Sequence, residues 1–279
     1  MHKEGKWAKQ MLALQDEEGK WGWFHSLSQS GNSPLTTEQA LRRLERLGFT
    51  IEDECIKKAV SYMSDCLCGR KRIPDRREKV HNWDIFTALI LSTQIRRFTY
   101  DNPNANETAR KWAAVITAGF ADGSFCQEAY NAAYYEVLGM KPGGGRLIDF
   151  TNFYPISLVR GCLDETTECL MLDYVLSKEG GIYYIYDRRL SVVPDCFASR
   201  EASHYLDAME LLSGYGCAKE KLGFVVEWLM QNQKANGKWD MGKSVNNKVQ
   251  FPLSDDWRKV ETREADCTER IEKLLKALQ

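Results

Sequence analysis

Gln15-Asp16-Glu17-Glu18-Gly19-Lys20-Trp21 and Gln233-Lys234-Ala235-Asn236-Gly237-Lys238-Trp239 share the pattern Gln-x-x-x-Gly-x-Trp, one copy towards each end of a 279-residue chain. Each copy follows a helix-like apolar segment, residues 11–14 in the first case and 225–230 in the second. Weaker echoes lie between them at Asp122-Gly123-Ser124-Phe125 and Gly180-Gly181-Ile182-Tyr183, and Cys68-Gly69-Arg70 falls where a further copy is due. With Gly19, Gly69, Gly123, Gly181 and Gly237 as markers, the spacings are 50, 54, 58 and 56 residues. A period of this size signals a repeat architecture. Two helices of about 12–16 residues with two connections fill one such unit.

The pattern has a physical logic. A glycine just past a helix end takes the left-handed conformation that closes the helix. The aromatic residue two positions later folds back and staples the loop to the helix just left, and the Gln side chain hydrogen-bonds the loop backbone. This is a structural device and not a catalytic one. A second helical pattern follows each marker, at residues 36–47, 81–97, 126–138, 199–213 and 262–278. Residues 149–160 form a sixth candidate, set off by Lys141-Pro142-Gly143-Gly144-Gly145, with Pro155 starting or kinking it. The first helices, at 52–63, 107–119, 165–177 and 219–233, carry Lys and Glu on one side, as an outer shell does. Alternation of period two is scarce, and residues 181–186 are the one plausible short strand. The expectation is an all-α protein forming one domain over residues 1–279.

Hydrophobic residues make up 43% of the chain, enough for a large core, and 38 basic against 39 acidic side chains leave a net charge of −1. That balance argues against nucleic acid or an anionic membrane surface as partner. The first residues lead into a helix-like segment and not a secretory signal, and no apolar run approaches the ~18 residues of a membrane span. A cytoplasmic protein is expected, with oligomeric state left open. The nine cysteines are scattered without a zinc-site or disulfide-frame spacing, and are read mostly as buried thiols.

On the two Gln-x-x-x-Gly-x-Trp copies and their degenerate relatives, the chain resembles the terpenoid-cyclase and protein-prenyltransferase superfamily, where such segments are known as QW motifs. The resemblance implies an α/α toroid of about five to six helical hairpins around a central cavity. It says little about chemistry, because one fold hosts many functions. The acid motif of the cyclases is incomplete at Leu253-Ser254-Asp255-Asp256, and Lys259 stands where a magnesium-binding Asp-Asp-x-x-Asp would need its last acid. The thioester motif of other toroids is replaced by Cys68-Gly69-Arg70-Lys71. Prenyltransferases bind zinc through Asp-x-Cys on one inner helix and a His on another. Here Asp266, Cys267 and His204 fall on expected inner helices, but Asp and Cys are adjacent and splay about 100° apart. A capping Asp beside a buried Cys is the alternative carried forward.

Read by face, the second helices are polar early and apolar late. Arg200, His204 and Asp207 share one stripe, and Arg263, Asp266, Cys267 and Arg270 share another that ends at Leu274. His81 and Asp84 precede Ala88 and Leu91, Glu128 and Asn131 precede Tyr135, Asp149 and Asn152 precede Ile156, and Glu38 opens the first of the set. In a toroid these residues would ring the mouth of a cavity with an apolar floor, the usual form of a small-ligand pocket. The expected ligand is small and amphipathic, with an isoprenoid-like body implied by the resemblance. Whether the site is catalytic stays open. If it is, His204 is the acid or base, oriented by Asp207 or Asp266, and arginines hold an anionic group. Two alternatives remain: a carbohydrate-active barrel using Asp84 or Glu128 with Asp266 as paired carboxylates, and a non-catalytic interaction scaffold. Capping and ion pairing within the fold compete with all of these at each single residue.

Overall fold

The computed structural model describes residues 2–25, 35–77, 82–142 and 149–279, and among them the chain is all-α, with isolated β-bridges as the only extended pairing. The helices follow in the order α1 (Lys6–Ala13), α2 (Thr37–Arg46), α3 (Glu54–Leu67), α4 (Trp83–Arg96), α5 (Pro103–Gly119) and α6 (Gln127–Leu138). Then come α7 (Phe153–Leu158), α8 (Glu165–Ser177), α9 (Arg200–Leu212), α10 (Ala218–Lys221), α11 (Gly223–Gln231) and α12 (Val260–Leu278). No helix among the described residues is long and apolar enough to cross a membrane. The chain divides into two compact units, one of residues 1–108 with 246–257 and one of residues 109–245 with 258–279.

All five marker glycines lie just after a helix and have positive φ: 97° at Gly19, 73° at Gly69, 80° at Gly123, 56° at Gly181 and 76° at Gly237. They separate α1 from α2, α3 from α4, α5 from α6, α8 from α9 and α11 from α12. Within the first unit α1 packs on α2 and α3 on α4; within the second, α11 packs on α12 and α10 touches α8, α11 and α12.

The two full copies of the pattern fold alike. In the first, the Trp21 indole N–H donates to the carbonyl of Met11 in the last turn of α1 (2.8 Å), and the Gln15 amide donates to the Gly19 carbonyl (3.0 Å). In the second, the Trp239 indole donates to the Leu229 carbonyl in α11 (2.7 Å), and Gln233 donates to the Gly237 carbonyl (2.8 Å). Both indoles are buried. Helix ends leave carbonyls without intrahelical partners, and a buried indole must find an acceptor, so each bond meets two needs at once. The loop is then tied forward to the second helix: the Trp21 amide donates to the Thr37 hydroxyl in α2 (3.0 Å) and the Trp239 amide to the Thr268 hydroxyl in α12 (3.1 Å).

Helices α2, α4, α8 and α9 begin with side-chain caps. Thr36 and Gln39 form a reciprocal capping box on α2, Asn82 accepts from Ile85 on α4, Asp164 from Thr167 on α8 and Ser199 from Ala202 on α9. In the first unit, residues 246–257 are held by Arg43, which donates to the carbonyls of Val249 (3.2 Å) and Pro252, and by Trp7, which donates to the Ser254 carbonyl (3.0 Å). Asp255, in the stretch nearest to a cyclase acid motif, accepts the Lys6 amide at the start of α1 (2.9 Å) and so closes a helix end.

Several expectations are corrected. Residues 181–186 form a tight loop and not a strand, because Ile182 and Tyr186 exchange backbone bonds (2.8 and 3.0 Å) across a turn in which Tyr184 has φ 75°. The helix expected over 219–233 is broken at Leu222, whose backbone (φ −106°, ψ 19°) leaves helical geometry before Gly223. The candidate at 149–160 shortens to α7, with Pro155 in its first turn, where a missing N–H costs nothing; part of the Gly-rich break before it lies outside the described residues. Helix α6 buries Tyr130 and Tyr134 and leaves Tyr135 exposed, so it does not carry the broad buried face of α4 or α9. The cysteines also depart from the reading as buried thiols. Cys169 in α8 and Cys217 before α10 form a disulfide with Cα atoms 5.6 Å apart, and of the free thiols only Cys55 and Cys267 are buried.

The marker glycines separate into two classes for substitution. A Cβ on Gly237 meets nothing within 4 Å, whereas a Cβ on Gly19 lies 2.7 Å from the backbone carbon and oxygen of Lys58. Gly237→Ala is expected to cost about 1 kcal/mol for the left-handed backbone, and Gly19→Ala about 3 kcal/mol once overpacking is added. Urea unfolding midpoints of the two variants measure the difference, and equal shifts would overturn this account.

Candidate functional site

The predicted constellation of α9 and α12 lies in the second unit. Arg270 is buried on α12, and its Nε donates to Glu210 (2.6 Å), its Nη1 to the Ser203 hydroxyl (2.9 Å) and its Nη2 to Asp207 (2.6 Å) and the Ser203 carbonyl (3.1 Å). All four acceptors come from three residues of α9, so the network fastens one helix to the other. Burying a guanidinium requires this degree of pairing. Arg263 forms a bidentate pair with Asp240 (2.7 Å for both bonds), and the Asp240 carboxyl is held below its ordinary value chiefly by that hydrogen bonding. Glu264 receives Lys234 and Asn236 (3.2 Å to the latter) from the Gly237 loop. The Cys267 sulfur accepts the Met241 amide (3.5 Å), and burial pushes its thiol up to about 12. The early polar residues of α12 therefore hold the loop that follows α11.

His204 is exposed on α9, while Asp207 and Asp266 are buried, and no hydrogen bond or ion pair joins His204 to either. Cys267 is buried where His204 is exposed, and among the described residues no group of three His, Cys, Asp or Glu side chains is arranged to hold a metal ion. Arg200 is exposed and donates to the Ser244 carbonyl (2.8 Å). Glu128 and Asn131 are exposed on α6, accepting from Cys126 (3.5 Å) and Gln127 (3.0 Å). Asn152 is the buried cap of α7 and accepts the Tyr154 amide (3.0 Å). Asp149 pairs with Lys178 and accepts the Thr151 amide (2.8 Å) beside the ring of Tyr174. A cleft of 460 Å³ in this unit is walled by the Arg188–Glu201 (2.7 Å) and Arg189–Glu179 ion pairs and contains none of the predicted residues.

In the first unit Glu38 is buried and accepts from Gln94 on α4 (3.2 Å), with His25 Nε2 3.8 Å from its other oxygen. His81 lies outside the described residues. Asp84, by contrast, lines a cleft of 570 Å³ between the end of α3, the connection at 69–77 and the first half of α4. Asp84, Thr87, Ala88 and Leu91 line it from α4. The polar-to-apolar order read from the sequence thus runs down one wall of an open cleft. Leu67, Ile73 and Trp83 add apolar surface, and Lys71, Arg72 and Arg77 add charge. Cys66 also faces the cleft, with its thiol pushed up by burial.

The charged groups of this cleft are unequally engaged. Both oxygens of Asp75 accept backbone amides, those of Phe24 (2.6 Å) and His25 (2.8 Å). Lys71 lies 3.3 Å from Glu18, and Arg77 stands 3.8 Å from Asp84 with both side chains largely exposed. The Thr87 hydroxyl, buried in the wall, has no hydrogen-bond partner. Lys71, Arg72, Arg77, Trp83 and Thr87 were not anticipated as site residues. A signal was present: five of the eight residues from 70 to 77 are Lys or Arg, a local excess hidden by the overall charge balance.

Compared with protein-family models, curated proteins and solved structures, the chain gives no match in any of the three.

The two kinds of predicted residue should respond differently to mutation. Arg270→Met leaves Asp207 buried without its arginine and is expected to cost about 3 kcal/mol, whereas His204→Ala, at an exposed position, should stay within about 0.5 kcal/mol. Chemical denaturation of both variants checks this, and a strong loss in His204→Ala would overturn the placement. The Arg263–Asp240 pair adds a pH dependence. The folded-state pKa of Asp240 is depressed below the ordinary 3.8, so its stabilisation is present above that value and lost as pH falls through the folded pKa. The stability difference between the native chain and Asp240→Asn should therefore shrink between about pH 6 and about pH 2. A difference constant over that range, measured by urea titration, would contradict the pairing.

Proposed function

We propose that this chain is a ligand-binding protein of the α/α-toroid type whose ligand is a small amphipathic molecule, with an isoprenoid-like body included in that class. The observation that carries the reading is the α4 wall, where Asp84, Thr87, Ala88 and Leu91 pass from polar rim to apolar floor along one side of a 570 Å³ cleft. This volume suits a small organic ligand, and apolar surface beside charged groups at the rim is how a site for an amphiphile combines affinity with orientation. Trp83 supplies a flat apolar face at the same wall. The reading is one of binding, and it assigns no reaction.

Filling the cleft tests the reading. Ala88 is half-buried in the wall, so Ala88→Trp places an indole in the cleft with room at its mouth. Binding of farnesol and octanol, followed by calorimetry, should weaken by about thirtyfold or more in Ala88→Trp, the equivalent of losing one well-buried apolar contact surface. Circular dichroism should remain that of the native chain. Unchanged binding in a folded Ala88→Trp protein would overturn the assignment of the ligand to this cleft.

A further inference from the structure

Three cations, Lys71, Arg72 and Arg77, and two carboxylates, Asp75 and Asp84, line the cleft of the first unit, and Glu18 stands beside Lys71, so the charges balance in number but not in pairing. The contacts identify the cation that lacks a carboxylate partner. Lys71 lies 3.3 Å from Glu18 and its ammonium sits 5.6 Å from the ring centre of Tyr62. Arg77 faces Asp84 at 3.8 Å. Arg72 is exposed and forms no ion pair or side-chain hydrogen bond among the described residues, while its carbonyl is fixed by the Tyr62 hydroxyl (3.1 Å). Asp75 does little to repel an anion, because both of its oxygens are already occupied by amide donors. One further polar group is unused: the Thr87 hydroxyl, on the α4 wall. A threonine inside a helix commonly bonds back to the carbonyl one turn earlier, and Thr87 does not.

From these observations we infer that the ligand of this cleft is an amphipathic monocarboxylate. Its carboxylate is held at the rim by the Arg72 guanidinium, whose planar fork matches a carboxylate in two parallel hydrogen bonds. Thr87 donates to the ligand from the wall, and the apolar body lies against Trp83, Ala88 and Leu91. A single guanidinium without an ion pair matches a monoanion better than a dianion such as a phosphate monoester, and it disfavours a cationic head group. The inference rests on the proposed reading of the cleft as an amphiphile site and names the chemistry of the head group.

Isothermal titration of the full chain with octanoate, octyl phosphate, octanol and octylammonium, which share one apolar body, separates the two claims. Octanoate should bind about tenfold or more tightly than octanol, the scale of one charge-assisted hydrogen-bonded pair. Octyl phosphate should bind more weakly than octanoate, and octylammonium should be the weakest. Arg72→Gln, at an exposed position, should reduce octanoate to the affinity of octanol without changing octanol itself. Octanol or octylammonium binding as tightly as octanoate would overturn the carboxylate assignment while leaving the amphiphile site standing, as would tighter binding of octyl phosphate. An unchanged octanoate preference in Arg72→Gln would overturn the role of that arginine. Binding of none of the four would overturn the amphiphile site together with the inference built on it.

Discussion

The bond from a tryptophan indole to a carbonyl in the last turn of the preceding helix is the constraint on which the terminal hairpins depend. A helix ends with carbonyls that have no partner within the helix, and a chain leaving it in solvent would satisfy them with water. Here the chain turns at a left-handed glycine, and the indole of Trp21 or Trp239 returns to the carbonyl ten positions upstream, at Met11 or Leu229. The ring is buried in doing so, and the Gln side chain fixes the glycine carbonyl from inside the loop. Once the loop has this shape, its remaining backbone groups face the start of the next helix. That helix then presents polar side chains to the loop: Thr37 and Thr268 accept the tryptophan backbone amides, and Glu264 and Arg263 bind the loop side chains of Asn236 and Asp240.

This requirement explains how much was legible in the sequence. The two complete motifs could be read because Gly, Trp and Gln each contribute a property no other residue supplies as well. Where the motif is degenerate, only the glycine retained its role. Gly69, Gly123 and Gly181 all have positive φ, but the position two residues on holds Lys71, Phe125 and Tyr183. Phe125 joins an aromatic cluster, with ring centres 5.5 Å from Phe120 and 4.5 Å from Tyr174, and Tyr183 pairs through its backbone with residues 151–153. Backbone conformation is dictated locally by glycine, whereas the seat of an aromatic ring depends on which elements surround it, and one sequence does not contain that information.

The polar-early stripe on the second helices was also legible, but a stripe gives direction without destination. A polar side chain aimed at a loop and one aimed at a ligand occupy the same helical positions. On α12 the stripe meets a loop, through Arg263 and Cys267, and on α9 it divides, with Asp207 buried against Arg270 and His204 exposed. On α4 it meets open space in a cleft. The cations that complete that cleft come from a connection with no periodicity, where pattern reading has no purchase and only the local excess of Lys and Arg gives a signal.

Burial decides which of these polar groups remain available for chemistry. A charge removed from water is tolerated only when its hydrogen bonds are nearly all made, and a group so engaged has little left to offer a ligand. Arg270 illustrates the first condition, with four donated bonds to Ser203, Asp207 and Glu210. Cys267 illustrates a related one, since burial that raises a thiol to about 12 also removes the thiolate a nucleophile or metal ligand requires. The first-unit cleft differs because its cations stand at the rim, where solvent lowers the cost of incomplete pairing, while its apolar wall lies deeper. Recognition of an amphiphile needs this combination: head-group contacts not already satisfied by the protein, and apolar surface whose removal from water supplies the affinity. It follows that the most deeply buried polar residues of this fold, although the most conspicuous in the sequence, serve its architecture, and that the side chains with hydrogen-bonding capacity to spare are those the fold leaves only partly satisfied.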